Sequence, residues 1–168
     1  MPGPGGSAPD RARRVVGIDL GERRIGVAVG DLATGTATPF VTLSRGKSVA
    51  EDAVALSRLA TEQAAGLLVV GLPLDMDGGE GAQATRTREW AEAIAAATGL
   101  PLRYRDERLT SERAERRIGP PGRGRSGGPP GAAQREAYRA RVDREAAALI
   151  LQDELDATAD EKPERDSQ

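Results

Sequence analysis

Three acidic residues lie where the surrounding sequence is apolar, and together they could bind a metal ion. Asp19 interrupts the strand-like stretch VVGIDL, Glu107 ends the strand-like stretch LRYRDE, and Asp143 lies on the apolar side of the helical stretch VDREAAALIL. An ionised carboxylate that is removed from water is costly unless a cation or hydrogen-bond donors compensate it. Because Mg²⁺ and Mn²⁺ prefer oxygen ligands, the three acids predict a divalent-metal site if the fold brings them together.

The chemistry that such a site supports is phosphodiester hydrolysis. Two divalent ions about 3.5–4 Å apart can activate a water molecule and stabilise the leaving oxygen of an in-line displacement. The chain of 168 residues contains no histidine and no cysteine, which excludes thiolate catalysis, disulfides and the commonest zinc ligands. Metal-dependent hydrolysis by carboxylates needs neither residue type, so the composition favours this chemistry.

Each of the three acids also has an explanation that involves no metal. An acid at the end of a strand can simply be solvated, and a half-buried acid can pair with a neighbouring arginine. The sequence alone leaves these explanations open. The arginines available for pairing are Arg23, Arg24 and Arg108 for Asp19, and Arg139 and Arg144 for Asp143.

The spacing of apolar residues predicts the elements that would position the acids. Three strands are followed by the order helix–strand–helix–strand–helix–helix. A hairpin-built sheet extended by two parallel strands, with helices on its faces, accounts for this order, so the predicted fold class is α/β. Ligands bind such sheets beyond the carboxyl ends of the strands. The predicted strands are 15–20, 24–31, 36–43, 66–73 and 102–107, and the predicted helices are 49–64 (capped by Ser48), 82–98, one capped by Thr110 or Ser111, and 135–156.

Three further features make the fold prediction more specific. Alternation along the first strand places Asp19 on the same face as Val15 and Gly17. Pro39 cannot donate a ladder hydrogen bond, so the third strand is predicted at an edge of the sheet. Trp90 is followed one helical turn later by Ile94, a spacing that favours packing in the core over stacking on a nucleic-acid base.

The composition along the chain predicts one domain between two tails. Residues 1–13 are rich in proline and glycine and residues 157–168 are acidic, so both are predicted to be disordered around a domain at 14–156. The Gly/Pro-rich stretch 119–134 is predicted to be a mobile loop with a binding role. No apolar run could span a membrane and no secretory h-region is present, so we expect a cytoplasmic protein. The sequence leaves open whether it forms a homodimer.

Basic and glycine-rich segments indicate where a phosphate backbone could bind. Between residues 103 and 144 there are twelve arginines and six acids, a balance that attracts nucleic-acid phosphates, although a single arginine can equally be a solvated surface charge. Glycines in the stretch GLPLDMDGGEG permit close backbone approach to a phosphate. The candidate phosphate contacts are Arg23, Arg24, Arg108, Arg123 and Arg125, and the acids that could assist a metal are Asp75, Asp77, Glu80 and Asp106.

Four stretches carry a resemblance to a known family: GIDLGERRIGVAVGD, VVGLPLDMDGGEG, DERLTSERA and VDREAAALILQDEL. Over roughly residues 14–155 the chain resembles the YqgF family, whose members are described as pre-16S rRNA nucleases and as Holliday junction resolvases. The resemblance implies an RNase H-like mixed five-stranded sheet and a divalent-metal nuclease, and it maps the acidic active site onto Asp19, Glu107 and Asp143. Our hypothesis is a Mg²⁺- or Mn²⁺-dependent phosphodiesterase in which Asp19 bridges two ions and Glu107 and Asp143 each complete one of the two sites. It leaves open whether the substrate is precursor ribosomal RNA or branched DNA.

The chain differs from the family in one segment, and two other protein classes share some of its features. Relatives often carry a lysine-rich segment where this chain has the arginine-bearing GRGRSGGPPGAAQREAYRAR. Sugar kinases and actin-like ATPases also begin with a GIDLG-type hairpin, but they need two lobes, and 168 residues supply one. A non-catalytic RNA- or junction-binding module is opposed only by the intact acid trio.

Overall fold

The structure, a computed structural model, describes residues 13–161 as five strands and four helices. Residues 1–12 and 162–168, which include most of the two predicted tails, lie outside the described residues. The strands are β1 (Arg14–Leu20), β2 (Arg24–Asp31), β3 (Thr36–Ser44), β4 (Leu67–Leu72) and β5 (Leu102–Asp106). The helices are α1 (Val49–Glu62), α2 (Ala82–Thr98), α3 (Thr110–Ile118) and α4 (Ala132–Asp160).

The five strands form one mixed sheet in the order β3-β2-β1-β4-β5. β1 and β2, and likewise β2 and β3, pair antiparallel, whereas β4 pairs parallel with both β1 and β5. This topology confirms the predicted α/β fold with a hairpin-built half and a parallel half. It also confirms the edge position of the strand that contains Pro39, because β3 pairs with β2 alone within this sheet.

Helices cover both faces of the sheet, and the alternation along β1 assigns residues to the two layers. Val16 and Ile18 pack with α1 and α2 in the larger core, which also contains Trp90. Val15 instead packs against α4, whose contact surface includes Ala147 and Leu151. Asp19 follows the parity of Val15, so it lies on the face that α4 covers. The predicted core position of Trp90 is confirmed.

The ends of the elements follow local chemistry. Ser48 caps α1 as predicted, since its hydroxyl accepts a hydrogen bond from the Glu51 N–H at 3.3 Å. The predicted cap of α3 at Thr110 or Ser111 is wrong: the helix begins at Thr110 after Leu109, which has a left-handed backbone (φ 62°) and gives no side-chain cap. β5 ends at Asp106, so Glu107 is the first residue beyond the strand.

The last helix is longer than its apolar pattern predicts. It begins at Ala132, inside the stretch 119–134 that was expected to be a loop, and it ends at Asp160, inside the expected tail 157–168. Alanine and glutamine are good helix formers, and the Gln134 side chain accepts a hydrogen bond from the Gly131 N–H. None of the helices within residues 13–161 is apolar over a length that could cross a membrane.

Candidate active site

Asp19 and Glu107 are brought together across the central strand β4. The Glu107 N–H donates to the Leu72 carbonyl at 3.2 Å, which extends the β4–β5 pairing by one residue. Gly71 leaves the space that the Glu107 side chain occupies: a Cβ added there would lie 2.6 Å from Glu107 Oε2. The two carboxyl groups share a hydrogen bond. The structure therefore joins two of the three predicted acids.

Asp143 is placed beside this pair by a close contact between α4 and β2. Gly26 is the register partner of Asp19 on the neighbouring strand. A Cβ on Gly26 would lie 2.0 Å from the backbone carbonyl oxygen of Asp143, so only glycine permits this approach. The negative charge of Asp143 acts on Asp19 electrostatically. The backbone of the third acid thus packs against the register partner of Asp19, near enough for the charge of Asp143 to act on Asp19.

The buried setting of the acid pair keeps a proton on it. Burial raises the pKa of Asp19 to about 6, although the hydrogen bond from Glu107 opposes this rise. Burial and the charge of Asp19 raise the pKa of Glu107 to about 9. At neutral pH the pair consequently holds a proton between its two carboxyl groups. Two half-buried carboxyl groups that share a proton can bind a divalent cation instead of that proton, because their oxygens are the ligands that such cations prefer.

Asp143 has a cation partner of its own. The Arg24 Nε donates to Asp143 Oδ2 at 2.7 Å, and Arg24 Nη1 donates to Glu136 Oε1 at 2.9 Å. Asp143 therefore pairs with Arg24, and not with Arg139 or Arg144. Within the described range 13–161, no three acidic side chains lie close enough to hold one ion between them. The side chain of Asp143 is bonded to arginine, and of the three acids only Asp19 and Glu107 are in direct contact.

The raised pKa values predict an unusual pH dependence of stability in the presence of a chelator. The pKa of Glu107 is about 9 in the folded protein against an ordinary value of 4.5, so the folded state holds a proton that the unfolded chain has lost. The free energy of unfolding must then fall as pH rises between these values. We expect Glu107→Gln to be more stable than the parent at pH 8, with the difference vanishing near pH 4, in denaturant titrations.

The matched control for this stability measurement is Glu89→Gln, which alters an exposed glutamate of α2. It should follow the parent at every pH. Parallel pH profiles for Glu107→Gln and the parent would contradict the protonated pair.

The remaining predicted site residues fall into two groups. The guanidinium of Arg108 is held by Asp106 and by the Met76 carbonyl, which ties the loop after β4 to the end of β5. In that loop Asp77 accepts a hydrogen bond from the Gly79 N–H, and Glu80 pairs with Arg88. Arg23, Arg123 and Arg125 are the predicted phosphate contacts that are exposed and form no ion pair within residues 13–161.

Sequence inspection overlooked two buried acids. Glu154 lies on α4 and accepts hydrogen bonds from Arg103 at 3.0 Å and from Arg105 at 2.6 Å, which joins the end of the helix to β5. Asp52 accepts a hydrogen bond from the Trp90 indole at 3.1 Å. Glu154 lies within the apolar arc of its helix, so the pattern that identified Asp143 could have found it. The hydrogen bonds of Glu154 and Asp52 compensate for their burial, so we assign both acids a structural role and no catalytic one.

Comparisons with known proteins agree with this architecture. The family model described as "RuvX: Holliday junction resolvase" matches residues 13–157. Relatives named "Putative pre-16S rRNA nuclease" include one from Acidiphilium cryptum, 38% identical with 92% of this chain and 90% of the relative covered, and one from Synechococcus elongatus, 43% identical with 84% and 87% covered.

A solved structure supports the fold. RuvC of T. thermophilus in complex with a Holliday junction substrate superposes with a TM-score of 0.50 at 15% identity, over 88% of this chain and 96% of that chain. This likeness confirms the RNase H-like fold that the sequence resemblance implied. With the family model covering nearly all described residues, the chain belongs to the RuvX (YqgF) family.

Proposed function

We propose that this protein is a divalent-metal-dependent nuclease that processes the 5′ end of precursor 16S rRNA. The observation that carries the proposal is the buried contact between Asp19, near the carboxyl end of β1, and Glu107, just beyond the carboxyl end of β5, in a chain of the RuvX family. Relatives covering most of the chain are named for this RNA. The family match over residues 13–157 also favours a nuclease over an ATPase.

Asp19, Glu107 and Asp143 are the residues that would hold Mg²⁺ or Mn²⁺. Asp19 contacts Glu107 and is within electrostatic reach of Asp143, so it is suited to be the shared ligand, with Glu107 and Asp143 on its two sides. Bound divalent ions would supply an activated water and charge stabilisation for the leaving oxygen. For Asp19 and Glu107 both to act as ligands, the pair must lose the proton that burial keeps on it. The glycine-lined approach of α4 keeps all three acids on one face of the sheet.

The substrate backbone would be bound by a basic surface that leads away from the acids, which we name the arginine segment (residues 119–141). It contains a single acid, Glu136, and that acid is already paired with Arg24. Arg139 lies one helical turn before Asp143, about 6 Å along the axis. Within the described chain none of its exposed arginines forms an ion pair with a carboxylate. They are Arg123, Arg125, Arg135, Arg139 and Arg141.

Arg23, exposed at the β1–β2 turn, is proposed as a further phosphate contact on the opposite side of Asp19. Arg108 and Arg24 are less suited to this role because carboxylates already hold their guanidinium groups. Phosphate contacts position a strand without reading its sequence, so this surface fits structured RNA and duplex DNA equally. A cytoplasmic location and a homodimer stay predictions.

A cleavage assay tests the proposal and separates its alternatives. The purified protein is incubated with an RNA that carries the 5′ leader of the 16S precursor, with a four-way DNA junction, and with linear duplex DNA, each with Mg²⁺, Mn²⁺ or EDTA. We expect metal-dependent cutting of the RNA. Cutting of the junction alone would favour a Holliday junction resolvase, the description that the family model carries. Tight binding of nucleic acid without any cutting would favour a non-catalytic module.

A further inference from the structure

Arg24 occupies a position that phosphate binding does not explain. It is the first residue of β2 and lies on the face that α4 covers, since the same strand face continues through Gly26 and Ala28. Its side chain is only 19% exposed. Rather than projecting into solvent, the guanidinium lies against α4, where it meets two acids that are seven residues, or about two helical turns, apart.

The two hydrogen bonds of Arg24 use different parts of the guanidinium. Nε donates to Asp143 Oδ2 at 2.7 Å and Nη1 donates to Glu136 Oε1 at 2.9 Å. The planar fork of arginine can satisfy two carboxylates at fixed angles, which the single ammonium group of lysine cannot reproduce. Only one oxygen of Asp143 is engaged in this way. Its other oxygen, Oδ1, remains available as a ligand.

We propose that Arg24 is a positioning residue that fixes the orientation of the Asp143 carboxylate beside Asp19, with Glu136 fixing Arg24 in turn. This inference rests on the proposed function, since it concerns how the third acid serves that site. Carboxylates that bind metal ions are themselves held by surrounding hydrogen bonds, and loss of such a partner typically costs about 10- to 100-fold in metal affinity or activity. Arg24 is the side chain that supplies this bond to Asp143.

A purely electrostatic role for Arg24 would have the opposite sign. A positive charge next to a cation site repels the cation, so removing that charge should strengthen metal binding. A positioning role requires the reverse, because an Asp143 side chain that is free to rotate is a poorer ligand. The sign of the change in metal affinity therefore separates the two roles without any reference to catalysis.

The experiment measures Mn²⁺ binding to the substrate-free protein by isothermal titration calorimetry, and kcat and KM in the cleavage assay. We expect Arg24→Gln to weaken Mn²⁺ binding about 10-fold or more and to lower kcat about 10- to 100-fold with little change in KM. Arg24→Lys should recover only part of the loss. Unchanged or tighter Mn²⁺ binding in Arg24→Gln, or full recovery by lysine, would overturn the inference.

Two further variants keep the test decisive. Glu136→Gln changes a side chain that is 61% exposed and breaks only the hydrogen bond between Arg24 and Glu136. It therefore tests whether the orientation of Arg24 matters even if Arg24→Gln does not fold. It should shift Mn²⁺ affinity in the same direction by a smaller factor, and no shift would count against the inference. The control is Arg113→Gln, which breaks another arginine–aspartate pair, between Arg113 of α3 and Asp153 of α4, and should change neither Mn²⁺ affinity nor kcat.

The outcomes also distinguish this inference from the proposed function. A parent protein that neither binds Mn²⁺ nor cleaves nucleic acid would overturn both. A parent that does both, with variants that match it, would overturn the role of Arg24 alone.

Discussion

Asp19→Asn should lower the cleavage rate about a thousandfold or more while leaving the protein folded. Asp19 contacts Glu107 and feels the charge of Asp143, so its loss weakens every arrangement of ions that the three acids could hold. Metal stabilisation of a phosphodiester transition state is worth several kcal/mol, and about 4 kcal/mol corresponds to a thousandfold in rate. The fold should survive because asparagine is nearly isosteric and removes a carboxyl group whose ionised form is disfavoured by burial.

Single-turnover cleavage at saturating Mg²⁺ measures this effect, and circular dichroism checks the fold. Asp31→Asn is the matched control: Asp31 ends β2 at the other end of the hairpin, opposite Arg14, where it accepts a hydrogen bond from the Ala33 N–H. It should cleave at the parent rate. Cleavage by folded Asp19→Asn within tenfold of the parent rate would remove Asp19 from the catalytic role.

Gly26→Ala should be among the most damaging single-methyl additions in the chain. The new Cβ would lie 2.0 Å from the Asp143 carbonyl oxygen and 2.4 Å from its carbonyl carbon. These are backbone atoms of α4, so the clash cannot be relieved by rotating a side chain. Overpacking of this kind costs about 3 kcal/mol. We expect a loss of that size in urea unfolding, together with a cleavage rate at least about 100-fold lower because the helix that carries Asp143 is displaced.

Gly30→Ala provides a graded comparison for this effect. Gly30 lies on the same strand face, but there a Cβ would approach its neighbours no closer than 3.1 Å. The nearest are the flexible ends of Leu151 and Leu155, which can yield, and the Thr36 carbonyl oxygen, a backbone atom that needs to give by only a few tenths of an ångström. Its stability loss should be small and its cleavage rate near that of the parent. Equal losses for Gly26→Ala and Gly30→Ala would show that the contact of Asp143 with β2 is not the critical one.

Local sequence patterns were sufficient to identify the acids but not their partners. Asp19 and Asp143 each break an apolar pattern that is set by near neighbours in sequence, and that signal needs no tertiary structure. The Arg24–Asp143 pair joins residues 119 positions apart, and nothing local distinguishes Arg24 from Arg23. Charge alone made both of them equal candidates for phosphate contacts.

The importance of two glycines is likewise visible only in the tertiary structure. The sequence around Gly26 is that of an ordinary strand, and its requirement for glycine comes from α4, which crosses the sheet at that point. Gly71 is likewise explained only by tertiary neighbours, the side chains of Ile150 and Glu107, that a Cβ there would meet. The mistaken cap of α3 has a similar origin: the backbone turns at Leu109 with a positive φ, which a sequence containing Thr110 and Ser111 does not suggest. Strain of this kind is found where surrounding structure fixes the chain beside a functional group.

The distance along the chain between the first acid and the last has a consequence for biosynthesis. Asp19 is translated early, whereas Asp143 belongs to the helix that is made last and that packs across β1, β2 and β3. Long-range contacts of this kind form late in folding, and domains fold as units while the chain emerges from the ribosome. A chain synthesised only as far as β5 therefore lacks Asp143, so the proposed metal site cannot assemble before α4 has been made.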